Sequence, residues 1–309
     1  MRDQTCSCVS PLYPGPCYDA ARNKGEPKIQ NRKSKIRPSR PKLGQHFLHD
    51  SRYRARILEA LSLDGSDVVI EIGPGRGAMT GLLAERAHKV IAVEVDQRLA
   101  EGLHETFQDE PKVEIVIADI LRADITALCR KEGIPRAFIF GNLPYYITSP
   151  ILHHLFAQRE CIRSMGLLMQ REVADRLTSA PGSRDYGYLS VATQVYTEPC
   201  TTLAVPPGAF SPAPQVQSAL VTFGMVAKFP QWPQTAYGRF LEFVKSCFAQ
   251  KRKNLVNNLS CSFPRSVIVE AIEAVGKSAT SRAEQLSPDE LAMLFESLTR
   301  LRGGAWSNL

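Results

Sequence analysis

The sequence predicts an α/β protein, a parallel sheet with helices on both faces, followed by a small helical C-terminal domain. Three observations carry that prediction. Short apolar runs alternate with helical stretches between Arg52 and Phe140, the pattern of a sheet covered by its own connections. The loop Gly73-Pro74-Gly75-Arg76-Gly77 directly follows the first strong apolar run. The prolines at 206, 207, 212, 214, 230 and 233 then punctuate the chain before text that is helical to the end.

Residues 1–41 are rich in Pro, Ser, Lys and Arg, lack hydrophobic periodicity and read as a disordered basic extension. They contain no apolar segment of the kind a secretory signal needs. The α/β domain is assigned to 42–228. Within it, a helix leads to the turn Asp64-Gly65-Ser66 and the run Val68–Ile72, a buried-strand signal. Helices near 79–86, 98–107 and 126–131 alternate with strands at 90–95, 113–118 and 137–140, and a further strand-like run spans 219–223. The helical domain is assigned to 229–309, with helices near 237–248, 251–259, 266–275 and Pro288–Leu301. Ser287, Pro288 and Glu290 form a capping-box signature at the start of the last one.

Composition excludes several classes. A hydrophobic fraction of 44% and a charged fraction of 22% are ordinary for a globular protein, and no apolar run nears the roughly 18 residues of a membrane span. A membrane partner is therefore not expected. Residues 1–42 hold ten Lys or Arg against three Asp or Glu, which is the whole of the net charge of +7, so overall charge does not identify a nucleic-acid enzyme. The seven basic residues between Lys28 and Lys42 suit RNA phosphates or simply a solvated tail. Eight scattered cysteines without a C-x-x-C pair read as reduced thiols of a cytoplasmic protein, and no metal is expected.

The glycine loop lies where an α/β sheet binds nucleotides, with Gly73 and Gly75 letting a cofactor approach the backbone. NAD enzymes and plain turns share such a loop. Glu94 ends the second strand, 21 residues after Gly73, where an acid accepts hydrogen bonds from ribose hydroxyls. Asp119, beyond the third strand, can accept from an adenine amino group. The Glu94 position suits S-adenosylmethionine and NAD equally.

Asn142-Leu143-Pro144-Tyr145, after the fourth strand, decides between them. The lone pair of the adenine N6 amine is delocalised into the ring, so attack on a sulfonium methyl needs its hydrogens held by acceptors and its lone pair aimed in line. The side-chain carbonyl of Asn142 and the backbone carbonyl of Leu143 supply acceptors, Pro144 enforces the extended turn, and Tyr145 offers a flat face to an unstacked base.

The chain resembles the ribosomal RNA small subunit methyltransferase A (KsgA) family of adenine-N6,N6 dimethyltransferases from Lys42 to about Leu301. The resemblance rests on LGQHFL (43–48), EIGPGRGAMT (71–80), VEVD (93–96), AD (118–119), GNLPYYITSP (141–150), PPGAFSPAPQVQSALV (206–221), FAQKRKNLVNNL (248–259) and RAEQLSPDEL (282–291). It implies a Rossmann-like domain with a helical cap, S-adenosylmethionine as methyl donor, and dimethylation of two adjacent adenosines near the 3′ end of small-subunit rRNA in a pre-ribosomal particle, by a cytoplasmic monomer. By motif, His46 and Leu48 contact the cofactor, Gly73 lies beneath its methionine portion, Glu94 holds the ribose, Asp119 the adenine, and Asn142 the target amine. The sequence departs from the family at His46 and Tyr146, where Asn is frequent, and at Gln215, where Lys is common.

From Phe243 through Val269 there is no acidic residue, and Lys251, Arg252 and Lys253 form the centre of a candidate RNA-binding strip whose alternative is a solvated helix face. Phe210 is a candidate exposed aromatic for the flipped base, or else a core residue. Three competing functions are an Erm-type large-subunit rRNA methyltransferase, a non-catalytic assembly or transcription factor on the same fold, and a DNA adenine methyltransferase. The GPG loop and the long C-terminal match argue against the first, the intact Asn142–Tyr145 motif against the second, and the lack of a target-recognition insertion against the third.

Overall fold

The computed structural model describes residues 46–301, so the extension assigned to 1–41 lies outside the described residues. The strands are β1 (Phe47–Leu48), β2 (Val68–Ile72), β3 (Lys89–Glu94), β4 (Val113–Ile117), β5 (Ala137–Asn142), β6 (Ile162–Gln170), β7 (Thr197–Val205), β8 (Phe210–Ser211) and β9 (Ser218–Met225). Seven form one sheet in the order β4-β3-β2-β5-β6-β9-β7, while β1 and β8 pair antiparallel as a separate ribbon. The helical stretches expected between the first strands are present as Thr80–Arg86, Gln97–Thr106 and Ile125–Lys131.

Alternation along the strands explains why the centre of the sheet is buried on both sides. Val68, Ile70 and Ile72 of β2 enter the larger core, with Ile139 and Leu167 from neighbouring strands. Val69, Phe138, Phe140 and Leu168 point the other way into a second core with Ile57, Leu83 and Val90. Successive side chains face opposite sides of a strand, so runs covered on both faces read as continuous apolar text.

The sheet is mixed rather than parallel throughout. Strands β4 through β6 are parallel, whereas β9 runs antiparallel to both β6 and β7. The 206–217 connection leaves β7 and re-enters β9 at the same sheet edge with no crossover helix, which forces the reversal.

The C-terminal helices Gln234–Cys247, Leu255–Leu259, Arg265–Ala274 and Pro288–Leu301 share the larger core. At the seam the rings of Tyr196 and Tyr237 stack at 5.3 Å, and the Arg159 guanidinium lies 5.1 and 4.9 Å from their centroids. Residues 251–253, expected within a helix, instead form an exposed turn, because Asn254 caps the following helix by accepting from the Asn257 N–H at 2.9 Å.

The capping box of the last helix is formed in full. The Ser287 N–H donates to Glu290 at 2.9 Å and the Glu290 N–H to the Ser287 hydroxyl at 3.1 Å. Ser287→Ala is expected to lower stability by about 1 kcal/mol. Urea unfolding checks this, with a lower midpoint at unchanged slope as the expected result.

Candidate active site

The chain leaves β2 outward through β3 and β4 and then returns to β5 on the other side of β2, so strand order reverses between β2 and β5. A crevice opens at such a point beyond the carboxyl ends of the strands. At Gly141, paired with Ile72, an added Cβ would stand 3.1 Å from the Ile72 Cβ and 3.3 Å from its carbonyl oxygen. The missing side chain lets the strands close up and sets Asn142 beside Gly73.

Gly73 and Gly75 have φ of +62° and +60°, which residues with a Cβ rarely adopt. Nothing stands within 4 Å of where a Gly73 Cβ would be, whereas the Phe47 ring lies 2.8 Å from that of Gly75. The Arg76 guanidinium covers the same ring at 4.8 Å. The loop thus has one open face and one face closed by the β1 segment.

Glu94 is buried at the end of β3, its two oxygens accepting from the N–H groups of Gly75 at 3.1 Å and Asp96 at 2.9 Å. Each oxygen keeps a further lone pair for a hydroxyl donor. Asp119 follows β4 and accepts from the Leu121 N–H at 3.0 Å. Between them, Val95 and Ile117 are 66% and 52% exposed, two apolar side chains left open at adjacent strand ends. Sequence reading missed this pair, since strand-end Val and Ile look like any other core residues.

Glu71 was missed too. It is buried in β2, accepts from the Thr80 hydroxyl at 2.6 Å, and is pushed up to about 7, by burial first and by the nearby Glu94 charge, against the lowering effect of the Thr80 bond. A carboxylate inside an apolar strand is costly, and that anomaly in VVIEI was the available signal.

The β5 end carries the residues expected to meet the target amine. The Asn142 side-chain amide donates to the His46 carbonyl at 2.9 Å, which turns its own oxygen away from that bond. Leu143 is buried and donates its N–H to Leu168 at 2.9 Å, and the Pro144 carbonyl accepts from the Ile147 N–H at 3.1 Å. Tyr145 is held at both ends. Its hydroxyl shares a 2.9 Å hydrogen bond with Ser218, its ring stacks on His46 at 5.6 Å, and burial raises its pKa. The His46 Nδ1 in turn donates to the Pro212 carbonyl at 2.7 Å.

The structure therefore gathers His46, Gly73, Gly75, Glu94, Asn142, Leu143, Pro144 and Tyr145 through direct contacts or adjacent strand ends, with Asp119 two strands from β2. The Leu48 side chain is committed to the second core. Phe210 is corrected: at 3% exposure it is a core residue and not an open aromatic, because its pairing with Leu48 across β1 and β8 turns the ring inward. Lys251, Arg252 and Lys253 are exposed on the turn of the helical segment, where Lys251 donates to the Arg184 carbonyl. Among the described residues no hydrogen bond or ion pair ties these three to the Asn142 loop. Nor is any group of three or more His, Cys, Asp or Glu gathered there for a metal.

The family model described as ribosomal RNA adenine dimethylase matches residues 36–300. The chain is 44% identical over 260 residues to the ribosomal RNA small subunit methyltransferase A of Acidobacterium capsulatum, covering 84% of this chain and 91% of the relative. It is 40% identical to the protein of the same name from Koribacter versatilis, covering 89% and 99%. Among solved structures, the 23S rRNA methyltransferase ErmE is similar with a TM-score of 0.63 at 31% identity, covering 82% of this chain and 99% of ErmE. A dimethyladenosine transferase from Plasmodium falciparum gives a TM-score of 0.71 at 21% identity, covering 84% and 98%, a likeness of fold.

The buried Glu71 makes stability depend on pH. Its folded value of about 7 lies above the ordinary 4.5, so the native state binds the proton more tightly. That contribution is complete below the unfolded value and is lost as pH rises through about 7, a change of roughly 3 kcal/mol. Glu71→Gln, which keeps an acceptor for Thr80, is expected to lose less stability than the parent between pH 5 and pH 8 in urea unfolding. Parallel pH dependence in the two proteins would mean that Glu71 stays ionised.

Proposed function

The chain belongs to the ribosomal RNA adenine dimethylase family, and from that premise we propose that its target is a pair of adjacent adenosines near the 3′ end of small-subunit rRNA, presented in a pre-ribosomal particle. It is an S-adenosylmethionine-dependent rRNA adenine dimethyltransferase. It works in the cytoplasm as a monomer, with residues 42–228 carrying the chemistry and 229–309 helping to hold RNA. The observation that carries the reading is the orientation of Asn142, whose amide nitrogen is occupied by the His46 carbonyl.

The residues of the crevice fit the donor. The open face over Gly73 leaves room for a ligand against the backbone. Glu94 keeps acceptor capacity for ribose hydroxyls, Asp119 for an adenine amino group, and Val95 and Ile117 offer apolar surface for the faces of the ring. When bound, S-adenosylmethionine supplies a methyl group made electrophilic by its sulfonium.

The chain's own part is to make a poor nucleophile good. The Asn142 side-chain oxygen and the Leu143 carbonyl accept the two N6 hydrogens, drawing the nitrogen toward tetrahedral geometry and stabilising the positive charge that develops on it. Tyr145, immobilised by Ser218 and His46, limits how the base can lie. His46 and Leu48 close the cofactor side through the β1 segment. Lys251, Arg252 and Lys253 contact phosphates at a distance from the chemistry. Phe210 supports the β1–β8 ribbon from within the core.

The 31% identity to ErmE favours one second reading, methylation of large-subunit rRNA. Radiolabelled methyl transfer from S-adenosylmethionine to undermethylated small subunits, in parallel with large-subunit rRNA, separates the two. Label is expected on small-subunit adenines as N6,N6-dimethyladenosine. Label on the large-subunit RNA alone would overturn the assignment.

Asn142→Ala is expected to slow methyl transfer about 100–1,000-fold with cofactor affinity within a few-fold, as for loss of one oriented acceptor. Single-turnover kinetics measure it, and retention of half the parent rate would sink the role. Glu94→Ala should do the converse, weakening cofactor binding by roughly 1.5–3 kcal/mol for each charge-assisted bond lost. Calorimetry reads this directly, and unchanged affinity would leave Glu94 a purely structural anchor for Gly75.

A further inference from the structure

Tyr145 and Tyr146 are neighbours in one short turn, yet the structure treats them differently. Tyr145–Ile147 is a single 3-10 turn directly after Asn142-Leu143-Pro144. Tyr145 is tied to Ser218 through its hydroxyl and to His46 through its ring. Tyr146 is 62% exposed, and among the described residues its side chain makes no hydrogen bond and no ring or cation contact. With three residues per 3-10 turn, adjacent side chains diverge by about 120°, so Tyr146 cannot face the base that Tyr145 faces.

A single exposed aromatic is ordinary on a protein surface. Its position is what gives this one meaning. Ser218, the anchor of Tyr145, follows the 206–217 connection that carries Val216, itself 46% exposed, so a second open apolar side chain stands two residues from the group that holds the neighbour of Tyr146. The substrate supplies the complementary surface. Taking an adenine out of its stack leaves the next base without a partner on one face, at a cost of a few kcal/mol. A flat ring offered beside the reacting loop recovers that stacking whatever the base, because every base has a π-face.

We propose that Tyr146 is a substrate-binding residue that stacks on the nucleobase next to the target adenosine, taking the place the target vacates. The inference rests on the rRNA adenine reading above, and within it the stacked base is the second adenosine of the pair. The ring is the acting group, and the hydroxyl is dispensable. Because the side chain supports nothing in the fold, its removal leaves folding and cofactor binding intact.

The test is steady-state methyl transfer to undermethylated small ribosomal subunits by the full chain and by Tyr146→Ala, Tyr146→Phe and Tyr146→Trp, with cofactor affinity and thermal midpoint measured alongside. Tyr146→Ala is expected to raise KM for the subunit about tenfold, the loss of one base–aromatic stack. Phe should match the parent and Trp should match or better it, with cofactor affinity and midpoint unchanged in all three. An unchanged KM for Tyr146→Ala overturns the proposal, as does a Phe variant that behaves like Ala, or a KM change matched by lost cofactor affinity. If the parent chain itself does not label small subunits, the functional reading falls first and the inference with it.

Discussion

The hydrogen bond from the Asn142 side chain to the His46 carbonyl decides which end of that amide the fold itself uses. A backbone carbonyl only accepts, so the atom facing it must be the amide nitrogen, and the oxygen is turned to the other side. The assignment needs no view of hydrogens. The bond also makes the setting of the Asn142 amide depend on a segment 96 residues earlier in the chain. That segment is held by the β1–β8 ribbon, by the bond from His46 to Pro212 and by the Phe47 ring against the glycine loop. One short N-terminal stretch therefore touches the cofactor loop, the acceptor Asn142 and the 206–217 connection at once. A loose β1 would free the Asn142 amide to rotate and would open the loop over Gly75.

Beneath this layer the site stores electrostatic cost. Glu71 and Glu94 are both buried near the ends of β2 and β3, and the Glu94 charge disfavours that of Glu71. Burial pushes the Glu71 carboxyl toward its neutral form. Their partners differ: Glu94 accepts from two backbone N–H groups, while Glu71 has a single hydroxyl and is pushed toward the neutral acid. The result is one fixed acceptor beside the crevice and one proton-holding group behind it.

Much of this was legible from sequence, and the exceptions have physical causes. Strands β2, β3 and β5 are buried on both faces and read as apolar runs, and Glu94 and Asn142 end two of them as expected. By contrast β7 reads Thr-Glu-Pro-Cys-Thr-Thr-Leu-Ala-Val and gives no such signal. It lies at the sheet edge, where Pro199 removes no essential bond and polar residues reach solvent. The antiparallel end of the sheet was hidden for the same reason. Phe210 sits among Gly208, Ala209, Ser211 and Pro212, local text that signals a surface loop, yet a partner at Leu48 turns it inward. Long-range pairing of two-residue strands leaves no periodicity to read.

The helical segment completes the argument by its rigidity. The core that contains Ile70 and Ile139 continues without a break to Phe240, Phe295 and Leu298, so the sheet and the C-terminal helices cannot separate without exposing it. Arg159 between Tyr196 and Tyr237 adds a cation-π seam at the junction. Further bonds run from the Gly182 N–H to the Glu284 carbonyl at 2.7 Å and from the Tyr186 hydroxyl to the Leu286 carbonyl at 3.0 Å. Under the proposed function, such a joint suits an enzyme that holds RNA on one part while the other receives a base. In that reading, phosphate contacts on the helical segment fix the position of the base at the crevice, and binding energy gained far from Asn142 is available to orient the amine.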